Sequence, residues 1–574
     1  MRTDRIVIGL WSAGFALLLY LTLGLTFQFS GYGEGLYDLH YVAAGWVDGG
    51  WPTPELWRPG AVVQHYYHFG LAGWGQLGAW YGLSLGATYV LGLILFPTLV
   101  FGLVLAAAQG SWLLRAVTAL VATFPASGIS LWLGLGFVEL PSHLVNMGHV
   151  RLVEWGDRAG DSVIGQALVT GAAYPLESLA HLVLELQNLH PPVMGFALLA
   201  LLLVWYLRLS PQPSRFDGLW PGLILVLGYA VNAWMLPMLV GTVLAMLILR
   251  RSGVLLLGTA LGALLTIALL WWPYFRHFDP PDAVRVTLLA AEHRSAWGSW
   301  LLIWLPYLLA TAWWFIALRV PRIGGLHVPS ALALLPLVFL AAVLSLEVVH
   351  LDDPYGDNYE RFNSVLKTGS LAMAGWAMSL LVLASRGRWR LWLPILLLLG
   401  VPSALQLQGL AAKLGGQMHR ANWSLAEPQM IGEEDYRALF AALRGQPRGT
   451  TLEFTESTAY TSVPMVSTLL AWPTWSGWAS HLGQVGTFTA EDWATRDALQ
   501  QWYRRYPPDN TVLDTNAVDY VLVPYAVRWR NAQIAERQAA LGVAWEWVGV
   551  AQHADGRRAG FFRRRFASGP DAPG

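Results

Sequence analysis

Residues 6 to 29 read IVIGLWSAGFALLLYLTLGLTFQF, an uninterrupted apolar run that is long enough to cross a bilayer hydrocarbon core of about 30 Å. Arg2 and Arg5 precede this run, and the excess of basic residues on the cytoplasmic side of membrane proteins places this end of the chain in the cytoplasm. A signal peptide has a shorter apolar core, of about 7 to 15 residues, and a small-residue cleavage site, which is absent here. We therefore predict a retained membrane span.

The composition of the whole chain is that of a polytopic membrane protein. Hydrophobic residues make up 55% of the 574 residues, charged residues only 13%, and the mean hydropathy is +0.44. A soluble protein of this length would expose too much apolar surface. The formal net charge is zero, which gives no sign of a nucleic-acid partner. The chain has no cysteine, which excludes disulfides, thiolate metal sites and cysteine nucleophiles.

Apolar length predicts about eleven membrane spans. They lie at residues 6–29, 87–108, 115–137, 190–208, 217–232, 236–249, 254–275, 298–318, 328–346, 365–384 and 391–410. One long helix is an alternative for 217–249, but Arg208 and Arg215 precede this stretch and Arg250 and Arg251 follow it. Two short spans with a turn near Asn232 keep both basic ends in the cytoplasm, so we predict a break there.

With this arrangement the basic loops fall in the cytoplasm, and the polar segments fall on the outer face of the cytoplasmic (plasma) membrane. The predicted outer segments are residues 30–86, 138–189, 276–297 and 347–364, the turn at Asn232, and everything after about residue 410. Residues 1–410 therefore form an all-α transmembrane domain. Residues 411–574 contain helix and strand patterns such as EEDYRALFAALRG, TTLEF and DYVLVPY, which predict a small α+β domain outside the membrane with a disordered tail.

The first outer loop concentrates polar and aromatic side chains in Gly31–Phe69, GYGEGLYDLHYVAAGWVDGGWPTPELWRPGAVVQHYYHF. Glu34 and Asp38 are four residues apart, so a helix would present both carboxylates on one face, where partial burial raises the pKa of a carboxyl group. Such a pair can act as general base and as substrate or metal anchor, or it can simply cap an interfacial helix. Tyr66 and Tyr67 in QHYYHF fit either a sugar site or an aromatic belt.

Two further outer segments place polar side chains at the end of a span. His190 stands before Pro191 and Pro192, where a helix begins, and this place suits either an anion at a helix N-terminus or a hydrogen-bonded interfacial histidine. Asn232 and Trp234 fall at the predicted turn. The pattern HExxH is absent, so a zinc site is not expected.

The loop HLDDPYGDNYERFNSVLK is denser in charge than these segments. Oxygen ligands suit a hard divalent cation, the one cofactor the sequence suggests, and the candidates are Asp352, Asp353 and Asp357. Arg361 and Lys367, with Asn363 between them, suit a phosphate, since arginine binds it as a bidentate fork and lysine as a point charge. Positive charge on the outer side runs against the basic bias of cytoplasmic loops and indicates an anionic ligand; the alternative is a solvated acidic turn.

These segments resemble the YYY-domain (DUF2298) family of membrane proteins, whose architecture is similar to that of the GT-C class of polyprenyl-phosphate-sugar-dependent glycosyltransferases. The resemblance covers most of the chain and rests on GEGLYDLHYVA with Glu34 and Asp38, HYYHFG, QNLHPPVM, VNAWMLP and RFNSVLK. WPTWSGWASH is similar to a tryptophan and histidine motif of the family's outside domain. Asn188, Pro192 and Met235 stand where the family has aspartate, histidine and aspartate, so the roles of those groups are lost or rerouted here.

The resemblance implies a GT-C-like enzyme that takes a sugar from a lipid-phosphate carrier at the outer face and adds it to a cell-envelope acceptor. It implies that an acidic residue of the first loop acts as the base that removes the proton of the acceptor hydroxyl. Asp38 is preferred to Glu34 for this role because its position at the start of a helix is better defined. Arg361 and Lys367 would neutralise the lipid phosphate with help from His190, and aromatic side chains would stack on sugar rings. The expected partners are the lipid-linked donor, the bilayer and the envelope acceptor.

A second hypothesis is a non-catalytic transporter or an assembly scaffold for envelope glycolipids or polysaccharide. In that case the same polar side chains line a pathway, and the outside domain binds a partner. Transporters often contain duplicated halves with broken helices, and this sequence shows no such duplication. A membrane metalloenzyme, the third hypothesis, lacks a recognisable ligand set.

Overall fold

A computed structural model of the chain describes two compact units. The described residues are 2–26, 35–48, 51–64, 68–134, 179–185, 187–209, 213–214, 216–279, 286–289, 294, 297–324, 330–351, 364–416, 434–454, 463–484, 487–504, 510–523, 529–552 and 556–565. The first unit comprises Met1–Phe27, Val90–Phe275 and Asp282–Trp423. The second unit comprises Gln28–Tyr89, Arg276–Pro281 and Ser424–Gly574.

The helices are numbered here in chain order. The earlier ones are α1 (Arg2–Thr26), α2 (Gly35–Asp48), α3 (Phe69–Trp80), α4 (Leu85–Ala107), α5 (Trp112–Thr123), α6 (Gly128–Gly134), α7 (Pro191–Arg208), α8 (Leu219–Val231), α9 (Leu236–Arg250) and α10 (Gly253–Leu270). The later ones are α11 (Trp297–Arg319), α12 (Pro321–Gly324), α13 (Ser330–Ala333), α14 (Leu335–Ser345), α15 (Ser370–Ala384), α16 (Trp389–Gly416), α17 (Glu434–Leu443), α18 (Met465–Leu469), α19 (Ala479–Gln484), α20 (Ala490–Arg504), α21 (Thr511–Thr515) and α22 (Asn531–Leu541).

Short helical turns and six strands complete the secondary structure of the described residues. Single π or 3-10 turns cover His181–Glu185, Ala233–Met235, Trp271–Phe275, Ser364–Gly369 and Gly542–Ala544. The strands are β1 (Val286–Leu288), β2 (Val349–Leu351), β3 (Thr451–Glu453), β4 (Tyr520–Val523), β5 (Trp545–Gln552) and β6 (Arg558–Arg564). β1 and β2 form an antiparallel pair in the first unit, and the other four strands form the sheet of the second unit.

The chain is a multi-pass membrane protein. Among the described residues, eight helices are long and apolar enough to cross a membrane, and three shorter apolar helices of 10–17 residues, α5, α8 and α14, accompany them. Helix lies on every segment that the sequence predicts as a span, so the predicted all-α polytopic fold is confirmed. All residues of α15 are buried, and α15 packs against α5, α7, α11, α14 and α16, which makes it the central helix of the first unit.

Local backbone chemistry decides where the helices of the first unit break. The predicted span 115–137 is two helices over its described part, because Phe124 precedes Pro125 and leaves the helical region, with φ −118° and ψ 60°. The predicted break near Asn232 is confirmed, since α8 ends there and Asn232 is extended, with φ −163° and ψ 103°. Its side chain closes the turn by accepting a hydrogen bond from the N–H of Trp234.

The second unit joins the first outer loop to the C-terminal region of the chain. Its sheet has the order β3-β4-β6-β5, in which β3 and β4 are parallel and β6 is antiparallel to both of its neighbours. The predicted strands in TTLEF and DYVLVPY and the predicted helix in EEDYRALFAALRG are present, so the α+β architecture is confirmed. The core combines aliphatic side chains with large aromatic ones, among them Trp475, Trp502, Trp529, Trp545 and Phe562. The predicted disordered tail lies outside the described residues from 566 onward.

Helices α2 and α3 occupy much of what the sequence suggests to be a loop. They pack together closely because glycines lie at their contact: a β-carbon on Gly45 would be 1.9 Å from the carbonyl oxygen of Ala72, and one on Gly75 would be 2.0 Å from that of Val42. Only glycine allows two helix backbones to approach this closely. This helix pair holds Asp38, in the first turn of α2, inside the second unit.

Candidate functional site

Asp38 lies in the first turn of α2 and is fully buried. A carboxylate is favoured at this end of a helix because the backbone N–H groups and the positive end of the helix dipole face it. Tyr41 follows nearly one turn later and is also fully buried, and the charges of Asp38 and Glu55 both act on its hydroxyl group. The carboxylate that the sequence singles out is therefore an interior group of the second unit, and a second carboxylate acts on the same tyrosine.

That second carboxyl group belongs to Glu55, which lies against the His40 imidazole in the interior of the unit. His40 Nε2 lies 3.1 Å from Glu55 Oε1, and both side chains are fully buried. Glu55 Oε1 also accepts a hydrogen bond of 3.0 Å from the N–H of Trp57, and the His40 ring stacks on the Trp57 indole at a centroid distance of 4.2 Å. His40 Nδ1 contacts the carbonyl oxygen of Tyr37. The Nδ1 contact and the stacking on Trp57 fix the orientation of the imidazole.

The tyrosines of α2 supply hydroxyl groups beside these charges. Tyr41 donates a hydrogen bond of 3.0 Å to the hydroxyl oxygen of Tyr37. Burial, followed by the proximity of Tyr37, Glu55 and Asp38, raises the pKa of Tyr41 well above its ordinary value. The Tyr41 hydroxyl therefore stays protonated and acts as a donor near the carboxylates.

The C-terminal region contributes the remaining rings and a second imidazole. Trp478 lies 5.7 Å from the Trp57 ring and 5.3 Å from the His481 ring, and His481 lies 4.9 Å from the Tyr37 ring. The Trp57 indole N–H donates a hydrogen bond of 3.0 Å to Thr468 Oγ1, which anchors the first loop to α18. We name as the carboxylate–histidine cluster the polar residues Asp38, His40, Glu55 and His481 with the rings of Tyr37, Trp57 and Trp478.

A salt bridge fastens the segment beside this cluster. Arg58 Nε lies 2.9 Å from Asp492 Oδ1 in α20. Partial burial opposes ionisation of Asp492, but hydrogen bonds from the backbone N–H and hydroxyl of Thr489, and then from Arg58, outweigh it, so the pKa of Asp492 lies below its ordinary value. The Leu56 carbonyl also accepts a hydrogen bond of 2.7 Å from the N–H of Thr474. These bonds fix the Glu55–Trp57 segment that holds His40.

Glu453, at the end of β3, is another fully buried carboxyl group of this unit. Its Oε1 accepts a hydrogen bond of 2.6 Å from the Ser467 hydroxyl, while its Oε2 has no hydrogen-bond partner within the described part of the chain. Burial raises the pKa of Glu453 to about 7, and the bonds from Ser467 only partly offset this effect. Glu453 therefore changes its protonation state near neutral pH.

His190 belongs to the first unit and begins α7, as the sequence predicts. Pro191 and Pro192 occupy the first turn of the helix, and His190 is the extended residue before them, with φ −67° and ψ 146°. The imidazole makes no capping hydrogen bond to the N–H groups of the helix, although the residue is buried. Asn188, which stands where the family has an aspartate, is buried two residues earlier.

The structure brings two other predicted residues, Asn232 and Lys367, together with Thr368 around Trp234. Asn232 Oδ1 accepts a hydrogen bond of 3.1 Å from the Trp234 N–H, and the Thr368 hydroxyl donates one of 2.9 Å to the Trp234 carbonyl. Lys367 Nζ lies 6.0 Å from the centre of the Trp234 ring, and all four side chains are buried. An ionisable residue buried in a membrane-spanning segment is costly and typically marks a functional site. We name these four residues the Trp234 site.

Met235, which follows Trp234, is a packing residue of the first unit. Its side chain is fully buried and packs against α7, where a β-carbon on Gly195 would be 1.8 Å from Met235 Cε. The position that carries an aspartate in the family is therefore a packing position in this chain.

Several predicted site residues lie outside the described residues: Glu34, Tyr66, Tyr67, Asp352, Asp353, Asp357, Arg361 and Asn363. In the described ranges, no group of three or more histidine or carboxylate side chains is arranged to hold a metal ion. Asp38 belongs to the second unit, whereas His190, Asn232, Trp234 and Lys367 belong to the first.

No local sequence pattern predicts a functional role for His40, Glu55, Glu453 or His481. His40 and Glu55 are present in the quoted first loop, but their pairing depends on how α2 folds against the following segment. His481 ends the motif WPTWSGWASH, which was noted only as a resemblance. Glu453 lies in a strand, where nothing in the residue pattern indicates that its carboxyl group is buried.

Comparisons with known proteins give distant structural similarity. No family model matches the chain, and no curated protein matches it. The chain is similar to a cryo-EM structure of the arabinofuranosyltransferase AftD from Mycobacteria, at 14% identity and a TM-score of 0.42, over 98% of this chain and 40% of that one. A structure of a mutant of the same enzyme gives 14% identity and a TM-score of 0.45, over 96% and 41%. The chain thus spans about two-fifths of the length of these structures, and similarity this distant assigns no activity to it.

Proposed function

We propose that this protein is a membrane glycosyltransferase that moves a sugar from a polyprenyl-phosphate carrier to a cell-envelope acceptor at the outer face of the membrane. The observation that carries the proposal is the carboxylate–histidine cluster, which encloses two carboxylates, two imidazoles and several aromatic rings in the segment that follows the first span. Carboxylates and imidazoles bind hydroxyl groups and move protons, and aromatic faces pack against the apolar face of a sugar ring. The resemblance to the YYY-domain family supports the same reaction class.

In this reaction an acceptor hydroxyl oxygen attacks the anomeric carbon of the donor sugar. Asp38 takes the hydroxyl proton, and the new glycosidic bond forms as the bond between the anomeric carbon and the phosphate oxygen breaks. The electron pair of that bond leaves with the polyprenyl phosphate. A carboxylate held in a fixed position in the first turn of a helix suits the role of base.

The remaining groups of the cluster orient the reacting hydroxyl. The Nδ1 contact and the stacking on Trp57 hold the His40 imidazole in one orientation, so that His40 is a positioning residue for the acceptor side of the reaction. The protonated Tyr41 hydroxyl donates its hydrogen bond to the Tyr37 hydroxyl, which orders the two tyrosines beside the carboxylates.

In the first unit, we assign the Trp234 site to the phosphate of the lipid carrier. Lys367 is a compact positive charge that suits a phosphate oxygen, and Arg361 precedes it by less than two helical turns of sequence. His190 is the further group that the resemblance assigns to this role. A phosphate held on a membrane-embedded lipid explains why a buried lysine stands at the start of a membrane-spanning segment.

The decisive variant is Asp38→Asn, which keeps the size of the side chain and removes its basicity. We expect purified Asp38→Asn, reconstituted in vesicles that contain a polyprenyl-phosphate-linked radiolabelled sugar, to lose at least about a hundredfold in transfer rate, the lower range for loss of a general base. The matched control is Asp497→Asn in α20, whose carboxylate is 66% exposed, and it should transfer at the wild-type rate. Wild-type transfer by Asp38→Asn would remove Asp38 from the role of base.

The same assay separates the enzyme from a scaffold or transporter. A glycosyltransferase converts the labelled donor into a glycosylated acceptor, and Asp38→Asn should still bind the donor. A scaffold binds the donor in both proteins without any product, and a transporter moves the label across the vesicle membrane unchanged. Either of these two results would contradict the proposed function.

A further inference from the structure

A long apolar groove lies between α9 and α14 of the first unit, with a volume of about 600 Å³. This volume is in the range of about 300 to 1,000 Å³ that is typical of ligand sites. Small residues form parts of both walls, namely Gly241 and Ala245 on α9 and Ala341 and Ala342 on α14. Because the side chains at these positions are small, they leave extra space in the middle of the groove.

The groove follows α9 over most of its length. Lining residues recur every three or four positions, from Pro237 and Met238 to Ile248 and Leu249, which is the spacing of one helix face. Twelve residue steps separate Pro237 from Leu249, which corresponds to about 18 Å at about 1.5 Å per residue. The groove is thus long enough for an extended chain that reaches through about half of a hydrocarbon core of about 30 Å.

One end of the groove is polar. Thr368 lines it there, next to Trp234 just before α9, and His350, which follows the end of α14, is a second polar lining residue. The Thr368 hydroxyl is bonded to the Trp234 carbonyl, and His350 Nε2 lies 2.8 Å from Thr287 Oγ1. Lys367, which is buried against Trp234, precedes Thr368 in the chain. An apolar channel that ends beside a buried cation is complementary to a lipid with one hydrocarbon chain and an anionic head group.

Several lining side chains are open to the surroundings of the helices, such as Ile248, which is 70% exposed, and Leu337, which is 37% exposed. Both helices are apolar segments of the membrane part, so these surroundings are hydrocarbon. Water does not fill an apolar groove of this kind, whereas a lipid chain enters it from the side without crossing water. Because small residues widen the groove, a methyl-branched chain fills it better than a straight acyl chain, which would leave voids.

We infer that the groove between α9 and α14 binds the isoprenoid chain of a polyprenyl phosphate, whose phosphate lies at the Thr368 and Lys367 end. The inference rests on the proposed function for the identity of the lipid. It goes further in assigning the hydrocarbon part of that lipid to two named helices and in making Gly241, Ala245 and Ala341 the residues that select a branched chain.

The test uses a polyprenyl phosphate with a photoreactive diazirine in its chain, incorporated in vesicles with the reconstituted full-length protein. After irradiation, we expect mass spectrometry to find the label on peptides from Leu236–Arg250 and Leu335–Ser345. Gly241→Trp fills the groove, since a β-carbon on Gly241 meets nothing within 4 Å, and we expect at least about a tenfold loss of labelling at these peptides.

The matched control is Gly14→Trp in α1, whose β-carbon also meets nothing within 4 Å and which does not line the groove. It should label as wild type does. Ala341→Trp, from the opposite wall, should repeat the loss if Gly241→Trp fails to fold by size-exclusion chromatography. Equal labelling by a phosphatidylglycerol that carries the diazirine in one acyl chain would show non-selective bilayer lipid and overturn the inference.

Labelling does not require sugar transfer, so the two proposals fail separately. Wild-type protein that transfers sugar but carries no label on α9 or α14 would contradict the groove assignment. It would not contradict the proposed glycosyltransferase activity. Asp38→Asn protein should keep full labelling, and labelling without transfer by the wild type would contradict the enzyme alone.

Discussion

Buried carboxyl groups of the second unit differ in what burial does to them. Glu55 is compensated by the His40 imidazole and the Trp57 N–H, whereas Glu453 has only Ser467 as a donor to its carboxyl oxygens in the described chain. The first arrangement gives the buried Glu55 carboxyl group two polar partners. The second makes protonation of Glu453 part of the stability of the unit, because the neutral acid is easier to bury than the carboxylate.

Glu453 predicts a pH dependence of stability. Its folded-state pKa of about 7 lies above the ordinary value of 4.5, so the folded unit binds this proton more tightly than the unfolded chain does. The stabilisation is complete below about pH 4.5 and is lost as pH rises through about 7, and by linkage it amounts to about 3 kcal/mol. We expect Glu453→Gln to show a smaller fall in thermal midpoint between about pH 5 and about pH 8 than wild type.

Wild type and variant share all other titrating groups. The contributions of those groups to the pH dependence therefore cancel when the thermal midpoints of the two proteins are compared. Glu491→Gln is the control, because Glu491 is an exposed side chain at the start of α20. It should show the pH dependence of wild type. An unchanged pH dependence in Glu453→Gln would mean that Glu453 is ionised throughout this range.

At the residue scale, the sequence identified Asp38 but not the partners around it. A carboxylate shortly after a Gly-rich turn can be recognised from local spacing, since it begins a helix. The partner groups cannot, because Thr468 is 411 positions from Trp57 and Asp492 is 434 positions from Arg58. Contacts at such separations depend on the packing of whole elements, which a single sequence does not record.

Among the elements, the α2–α3 pair depends most on individual residues. We expect Gly45→Ala to destabilise the second unit by about 2 kcal/mol or more, because its β-carbon would overlap the Ala72 carbonyl oxygen and force the helices apart. Gly73→Ala makes the same chemical change in α3, where a β-carbon meets nothing within 4 Å. It should stabilise by about 0.5 to 1 kcal/mol, as alanine does in a helix interior. Thermal midpoints of the two variants provide the measurement, and equal midpoints would contradict the close packing.

At the element scale, spans were predictable because apolar length alone determines them. Charge then selected the correct alternative for the stretch around Asn232, where the structure has two helices. The helices of the first outer loop were not predicted as elements. Their apolar pattern is interrupted by glycines such as Gly45 and Gly75, which reduce helix propensity but are required by the backbone contact.

For the whole molecule, the sequence suggested a membrane part followed by a separate C-terminal domain. The compact units divide the chain differently, since residues 28–89 belong with the C-terminal region and not with the spans on either side of them. Hydropathy cannot show this, because it reports whether a segment prefers water or hydrocarbon and not which polar segments pack together. The hydrogen bond between Trp57 and Thr468 and the salt bridge between Arg58 and Asp492 are the contacts that join them.

The orientation of the whole molecule in the membrane is a prediction of the basic-residue distribution, and the proposed reaction requires it. The chain has no cysteine, so a single introduced cysteine reports one position without background. We expect a membrane-impermeant maleimide to label Asp357→Cys on intact cells, because the loop 347–364 is predicted to lie outside. Arg388→Cys, in an exposed basic loop, should be labelled only after permeabilisation. The reverse pattern would place the loop of Arg361 and Lys367 in the cytoplasm, where a reaction at the outer face could not use it.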